Sequence, residues 1–422
     1  MRATRSSING PGTINGAARI NGPGRIDGGG RINGLCLTAV TAALALALAN
    51  CAGPPTPPGT SQGNQSGAVS LNVVDVGGVS SFTKPMMDKC AQSHPDRISG
   101  LAFSKAPSTE LTGKLEAQQK SGHLDIDLVL SGSDAVGAGV VKNIWEPISD
   151  HENQLPALKN YSDDARMIFD QYKRQALVVA TEFTGPLLEY TPGAVSTPPT
   201  TAEELLAYAK ANPGKFTYAK PPQSGPGRQF VMGLPYILGD KDPKDPKNGW
   251  DKTWAYLAEL DKYVGGSYPS STGDTFESLA KGGVNMIASS AGWDIGQRQQ
   301  GTVPATLKIT TLKNSTYLIA GHFAAIPKGL QQNRREAVLA LLDCMLSKDS
   351  QTSIYQAQKK SVPGPAIKGI SVKDAPADVQ GEVAQFDRPE YQQLIGKART
   401  APELPPEQMS IMFDRWEREI GG

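Results

Sequence analysis

The chain has 422 residues, with 42 basic and 41 acidic side chains, so its formal charge of +1 provides no basic field to hold nucleic acid. Its length is sufficient for two domains of ordinary size. The 4 histidines and 4 cysteines do not have the spacing of a metal motif, and we expect neither a metal nor a cofactor.

The first 34 residues repeat an Ile-Asn-Gly or Ile-Asp-Gly triplet at a fixed period, beginning at Ile8. Fixed periods of this kind occur in parallel β-helices. These turns contain too few apolar residues to bury a core, so we interpret them as low-complexity sequence. We assign residues 1–50 to a leader and exclude them from fold reasoning.

An apolar run from Leu35 to Ala49 ends at Asn50 and Cys51. It is short for a membrane span, which needs about 20 residues, but fits the apolar core of a signal peptide. The residues around Cys51 resemble the lipobox of bacterial lipoproteins. That resemblance implies cleavage before Cys51 and lipidation of its thiol, rather than a cysteine buried in a core helix.

Residues 51–68 are rich in proline, glycine and serine and predict a flexible linker. Strand and helix patterns then alternate. We predict strands in 70–78, 98–106 and 124–136, with helices in 81–96 and 109–122. The β-α-β-α-β order predicts a parallel sheet covered by helices. Ligands bind such sheets at the carboxyl ends of their strands.

The next stretch repeats this alternation and then returns. We predict a strand and crossing segment in 174–190, and the helix-forming and strand-forming segments that follow are 200–222, 224–239, 250–264 and 270–296. Residues 311–329 predict two short returning strands, and 331–356 predict one long helical region. The chain therefore leaves one lobe and later re-enters it.

Four of these segments, in this order behind a lipobox, are similar to bacterial extracellular solute-binding proteins of ABC importers: DLVLSGSDAV, the segment 200–231, FESLAKGGVNMIASSAGWDI and the segment 322–355. The branch that they resemble includes polyamine, thiamine and ferric-iron binders. The resemblance implies an α/β, type II periplasmic-binding-protein fold. Its two lobes have mostly parallel sheets and are joined by a hinge of two crossovers.

On this resemblance we assign 69–180 and 316–422 to lobe 1 and 181–315 to lobe 2. The expected protein is a monomer anchored by lipid to the extracytoplasmic face of the cell membrane. Its expected partners are a small-molecule solute and the membrane permease of an ABC importer. An envelope enzyme or a sensor domain that reuses the same fold is the alternative, because a fold does not fix a function.

Two segments are candidate sites for polar or anionic groups. Ser131, Gly132 and Ser133 end a parallel strand, where hydroxyls can meet a ligand, although a turn also needs small residues. Ser224, Gly225 and Arg228 begin a helix, where backbone amides and a guanidinium attract anions. A flexible loop with a solvated arginine would explain the second segment equally well.

A third segment suits a cation. Trp293 and Asp294 follow the end of a strand, and an aromatic face beside a carboxylate attracts cationic ligands. A packed tryptophan and a capping aspartate are the alternative. Tyr317 on the returning segment either faces the cleft or lies in the core. A solute with both a positive and a negative group would satisfy all of these segments.

Cys90 and Cys344 are the cysteines of the expected folded body. An oxidising compartment would allow one disulfide between them, and two buried free thiols are the alternative.

Ser81 to Lys84 match the S-x-x-K pattern of penicillin-binding enzymes, but the partner motifs are absent, so we interpret the match as a helix start. We expect no catalytic activity.

Overall fold

A computed structural model of the chain describes residues 67–395 and 398–421. The predicted leader, the proposed lipidation site Cys51 and nearly all of the predicted linker lie outside the described residues.

The first part of the chain alternates strands and helices as the sequence predicts. Its elements are β1 Val69–Asp75, α1 Ser80–Ser93, β2 Ile98–Lys105, α2 Ser108–Ser121, β3 Leu128–Ser131, α3 Ser133–Lys142, α4 Asp163–Gln171 and β4 Leu177–Phe183.

The second part contains β5 Leu187–Tyr190, α5 Ala202–Ala211, β6 Phe216–Thr217, α6 Gly225–Leu238, α7 Asp251–Val264, α8 Thr272–Ala280, β7 Met286–Ser289, α9 Trp293–Gln299 and β8 Lys308–Thr310. Capping residues explain several helix starts. Thr201 caps α5 by accepting a hydrogen bond from the Glu204 amide, and Ser271 caps α8 in the same way.

The chain then returns through β9 Thr316–Ala325, α10 Gln332–Met345, α11 Lys348–Gln358, β10 Gly364–Pro365, α12 Ala377–Phe386, α13 Pro389–Ile395, β11 Arg399–Pro402 and α14 Pro406–Glu419. Two sequence predictions differ here. The two short returning strands are one long strand, β9, and the long helical region is divided into α10 and α11.

The strands form two sheets, one in each lobe. The order in lobe 1 is β10-β4-β9-β3-β1-β2, with β11 also paired to β9, and the order in lobe 2 is β6-β7-β5-β8. Strand β1 is parallel to β2 and β3, as predicted, but β9 is antiparallel to both β3 and β4. The sheets are therefore mixed rather than mostly parallel, because β9 enters directly from lobe 2 instead of through a helical crossover.

The carboxy-terminal segment departs from the predicted division, which gave all of 316–422 to lobe 1. Strand β11 joins the lobe 1 sheet through β9, but α14 buries Met409, Met412 and Trp416 in the core of lobe 2. The indole Nε1 of Trp416 donates to the hydroxyl of Tyr218 at 3.1 Å. Helix α14 also packs on α3 of lobe 1, so the chain contacts both lobes again after its two central crossovers.

Cys90 on α1 and Cys344 on α10 are joined in a disulfide, with their Cα atoms 5.7 Å apart. The bond connects two helices of lobe 1, on residues that the sequence separates by 254 positions. Among the described residues, we find no helix that combines the length and hydrophobicity of a bilayer span.

Candidate functional site

A cavity of about 230 Å³ lies between the two lobes. Lobe 2 contributes Ala291, Gly292 and Trp293, at the start of α9. Lobe 1 contributes the loop between β1 and α1, the side chains of Glu182 and His322, and the segment between α11 and β10. Because both lobes line it, the cavity is the candidate ligand site.

The loops of the cavity follow the carboxyl ends of two strands, β1 and β7, where α/β sheets bind ligands. Gly77 and Gly78 after β1 both have positive φ, at 79° and 84°, which turns the chain sharply into α1 and leaves the cavity wall without side chains there. Phe82, one turn into α1, supplies an aromatic face to the same wall.

Glu182 and His322 project from the neighbouring strands β4 and β9. The antiparallel register pairs Glu182 with Ala320 and Ala180 with His322, so the two side chains are diagonal neighbours on one face of the sheet. His322 Nε2 lies 3.4 Å from Glu182 Oε2. Neither ring nitrogen of His322 makes a hydrogen bond of good geometry with the described residues. We therefore describe the approach of His322 to Glu182 as a close contact and not as a hydrogen bond.

Glu182 is almost fully buried, with 6% of its side chain exposed. Burial is the largest influence on its carboxyl and raises the pKa, but the charges of His322, Lys360 and Arg228 together hold the pKa below its ordinary value. The carboxylate therefore keeps its negative charge inside the protein.

Lys360 places an ammonium group beside this carboxylate and beside the indole of Trp293. Its Nζ lies 5.9 Å from the centre of the Trp293 ring. Burial lowers the pKa of Lys360, and the charges of Glu182 and Asp294 partly oppose this effect. The cavity thus contains one carboxylate, one amine and one imidazole between aromatic walls.

Trp293 is the residue of the sequence-predicted site that lines the cavity. Ser131, Gly132 and Ser133 do not line it: they join β3 to α3, and both serine side chains are buried. The backbone carbonyl of Ser133 accepts from the Tyr172 hydroxyl at 3.5 Å. This turn is packed inside lobe 1, between α3 and strand β3, which pairs with β9 in the sheet.

Ser224, Gly225 and Arg228 begin α6, as predicted, but none of them lines the cavity. Ser224 accepts from the Gly227 amide, and its hydroxyl lies 2.7 Å from that of Thr272. The buried Arg228 Nε donates to Glu403 at 3.2 Å. Burial lowers the pKa of Arg228, but the charges of Glu403, Asp134 and Tyr172 and the hydrogen bond to Glu403 together raise it above its ordinary value. The guanidinium therefore already has a partner inside the protein.

Asp294 is fully buried and does not line the cavity. Its carboxylate accepts from Arg298 Nε at 2.7 Å, from Arg388 and from the hydroxyl of Tyr391. Arg388 and Tyr391 come from the carboxy-terminal segment. The Asp294 carboxylate thus holds that segment against lobe 2, and Asp294 is not among the residues that line the cavity.

Tyr317 lies at the start of β9 and is buried rather than open to the cleft. Its ring stacks on Phe183 with centroids 4.7 Å apart and an interplanar angle of 11°. Burial raises the pKa of the Tyr317 phenol. The stacked pair lies at the end of β4, where the chain leaves lobe 1 for lobe 2.

Sequence reasoning missed Glu182, His322, Lys360 and Phe82. A charged residue in the apolar strand VVATEF and a histidine in the apolar strand AGHFAA were the available signals.

The S-x-x-K segment is the start of α1, where Lys84 turns away and pairs with Asp88 at 2.6 Å. Among the described residues, no group of His, Cys, Asp or Glu is arranged to hold a metal ion.

A family model described as "bacterial extracellular solute-binding protein" matches residues 86–381. No curated protein matches the sequence. Solved structures are similar at low identity. A solute-binding protein from Agrobacterium radiobacter K84 in complex with ribitol has a TM-score of 0.60 at 17% identity, covering 84% of this chain and 96% of that one.

Two further solved structures are similar to this chain at low identity. An ABC transporter protein from Clostridium perfringens ATCC 13124 has a TM-score of 0.59 at 14% identity, with 83% and 100% coverage of this chain and that one. Iron-bound HitA from Pseudomonas aeruginosa has a TM-score of 0.56 at 15% identity, with 84% and 100% coverage. The predicted two-lobed α/β fold is confirmed.

Proposed function

Because the chain belongs to the family of bacterial extracellular solute-binding proteins, we propose that it captures a small solute between its lobes and delivers it to the permease of an ABC importer. The observation that carries this proposal is the cavity lined by Trp293 from lobe 2 and by Glu182, His322 and Lys360 from the lobe 1 side. These groups are placed to contact one solute from both sides.

Capture requires that the solute favour the closed arrangement of the lobes. A ligand shifts such an equilibrium only through contacts that it makes in one state and not in the other. A solute that touches Trp293 and Glu182 together gains the second contact only when the lobes meet. The permease can then distinguish the loaded protein from the empty one by its closed shape.

A binding role is favoured over a catalytic one by the state of the polar groups. Ser81 and His322 line the same cavity, but neither ring nitrogen of His322 hydrogen-bonds a described group. A nucleophile–base pair is recognised by a hydroxyl within hydrogen-bond reach of the ring, and Ser81 makes no such contact among the described residues. We therefore propose that the cavity binds its solute without changing it.

We also propose that the protein is held to the extracytoplasmic face of the cell membrane by lipid on Cys51, as a monomer. The apolar run before Cys51 and the flexible linker after it support this arrangement.

Cys51→Ser should move the protein from the membrane fraction to the soluble fraction of the envelope or to the medium. Cys36→Ser, in the part of the leader that would be removed, is the matched control and should stay in the membrane fraction. A Cys51→Ser protein that remains membrane-bound with unchanged mass would contradict the anchor.

Binding itself is tested by native mass spectrometry of the protein purified without denaturation. We expect a noncovalent adduct whose mass is unchanged after release. An adduct released as a chemically altered product would favour the enzyme alternative.

A further inference from the structure

The cavity contains two groups of opposite charge that do not neutralise each other by direct contact. Lys360 Nζ lies over the Trp293 ring, 5.9 Å from its centre, and forms no ion pair within 4 Å with Glu182. Among the residues that the structure describes, the basic side chain within 4 Å of the Glu182 carboxylate is His322, at 3.4 Å. Glu182 is buried and Lys360 is partly buried, and a charge removed from water is stabilised by a direct partner. Each of the two groups can therefore accept a partner from outside the protein.

A solute with only one kind of charge would satisfy only half of this arrangement. A simple cation would pair with Glu182 and would then meet the ammonium of Lys360. A simple anion would pair with Lys360 and meet the carboxylate of Glu182. Either solute would therefore leave one protein charge facing a like charge or lacking a partner, which is unfavourable away from water.

The size and walls of the cavity limit the solute further. A volume of about 230 Å³ lies below the roughly 300–1,000 Å³ that is typical of pockets for drug-sized ligands, so the solute is small. Phe82, Trp293, Val362 and Pro363 give the cavity apolar walls. A short hydrocarbon body between the charged ends would pack against them.

We propose, on the basis of the proposed function, that the solute is a small zwitterion with a short hydrocarbon body, an amino acid in the broad sense. Its ammonium group lies against Glu182 and its carboxylate lies against Lys360. His322 lies close enough to Glu182 to hold the Glu182 side chain in place. Trp293 closes over the hydrocarbon body from lobe 2.

Calorimetry with matched triplets of probes tests this assignment on the purified chain after exhaustive dialysis. The zwitterions are glycine, β-alanine, γ-aminobutyrate and 5-aminopentanoate. Each is compared with the amine and with the carboxylic acid of the same chain length. We expect at least one zwitterion to bind about tenfold or more tightly than both of its single-charge partners.

Two variants assign the ends of the solute. Glu182→Gln should remove the advantage of the zwitterion over its matched acid, and Lys360→Met should remove its advantage over the matched amine. Each loss should be about tenfold or more. Lys359→Met is the matched control, because this neighbouring lysine is 54% exposed and pairs with Glu382. The affinity of this variant for the zwitterion should stay within about twofold of that of the natural protein.

An amine or an acid that binds as tightly as its matched zwitterion would overturn the inference, as would a lack of binding by every probe. The proposed function has its own readout. Native mass spectrometry that finds a co-purified solute of another chemical class would keep the binding role and reject the zwitterion. A protein that carries no solute and binds no probe would count against both.

Discussion

Gly292 of lobe 2 packs directly against Val362, beside the lobe 1 sheet. A Cβ atom placed on Gly292 would lie 2.7 Å from Cβ of Val362, closer than two carbon atoms can approach without movement. Gly292 also has a φ of +83° and immediately precedes Trp293. The absence of a side chain at this position is therefore what allows the two lobes to meet beside the cavity.

Gly292→Ala should prevent full closure, because the new methyl group would meet Val362. We expect solute affinity to fall by about tenfold or more. Gly301→Ala is the matched control: Gly301 has a φ of +69° but open space around it, so its variant carries the backbone strain without the clash. The free energy of unfolding of Gly301→Ala should fall by about 1 kcal/mol, with little change in its affinity for the solute. Equal affinities of the two variants, measured by calorimetry, would contradict the role of Gly292.

Trp293 should report solute binding by fluorescence. It is only partly buried at the cavity, whereas the remaining 4 of the 5 tryptophans are buried, namely Trp145, Trp250, Trp254 and Trp416. Trp293→Phe should remove the solute-dependent change in emission, and Trp254→Phe should preserve it. Trp293→Ala should weaken binding by about 2 kcal/mol, roughly thirtyfold. A full signal in Trp293→Phe would place the solute elsewhere.

Asp294→Asn should destabilise the fold rather than weaken a contact with the solute. Removing the charge leaves Arg298 and Arg388 buried without their carboxylate, which costs about 3–5 kcal/mol. The matched control Asp88→Asn breaks a half-exposed pair with Lys84 and should cost less than about 1 kcal/mol. Chemical denaturation compares the two. An Asp294→Asn protein of normal stability that no longer binds solute would restore the role predicted from the sequence.

Glu189 should make stability depend on pH in the opposite sense to an ordinary carboxylate. Burial, followed by the charge of Asp294, raises the pKa of Glu189 well above its ordinary value despite the nearby Arg388 and Arg298. The native state then holds a proton that the unfolded chain releases. The contribution of Glu189 is complete below its unfolded pKa and is lost as the pH rises through its native pKa.

Glu189→Gln cannot ionise, so its free energy of unfolding should exceed that of the natural protein by at least about 1 kcal/mol at pH 8, with the difference shrinking toward pH 4. Urea denaturation across this range measures the difference. Glu277→Gln, at an exposed residue paired with Lys281, should follow the natural protein. Parallel pH profiles for Glu189→Gln and the natural protein would show that Glu189 is ionised in the fold.

The order of local elements could be predicted because it depends on residues close in sequence. The alternation of apolar strands and capped helices predicts β1 to β3, and Thr201 predicts the start of α5. The pairing of β9 could not be predicted in this way, because the direction of a strand in a sheet depends on where the chain re-enters the lobe. The crossing of α14 into lobe 2 has the same cause.

The candidate site shows the same limit. Trp293 could be found because it follows a strand end, and Asp294 satisfied the same pattern. Only the fold brings Arg388, which is 94 residues later, against that carboxylate. Glu182 and Lys360 come from separate segments on the lobe 1 side, and nothing in their local sequences indicates that they share one cavity.

The central claim is that both lobes hold one small solute at Trp293. Native mass spectrometry of the natural protein and of Trp293→Ala, purified side by side without denaturation, tests it most directly. We predict a single small noncovalent adduct on the natural protein and a strongly reduced adduct on the folded variant. Equal occupancy of the two proteins, or a natural protein that carries no adduct and binds no probe, would contradict the claim.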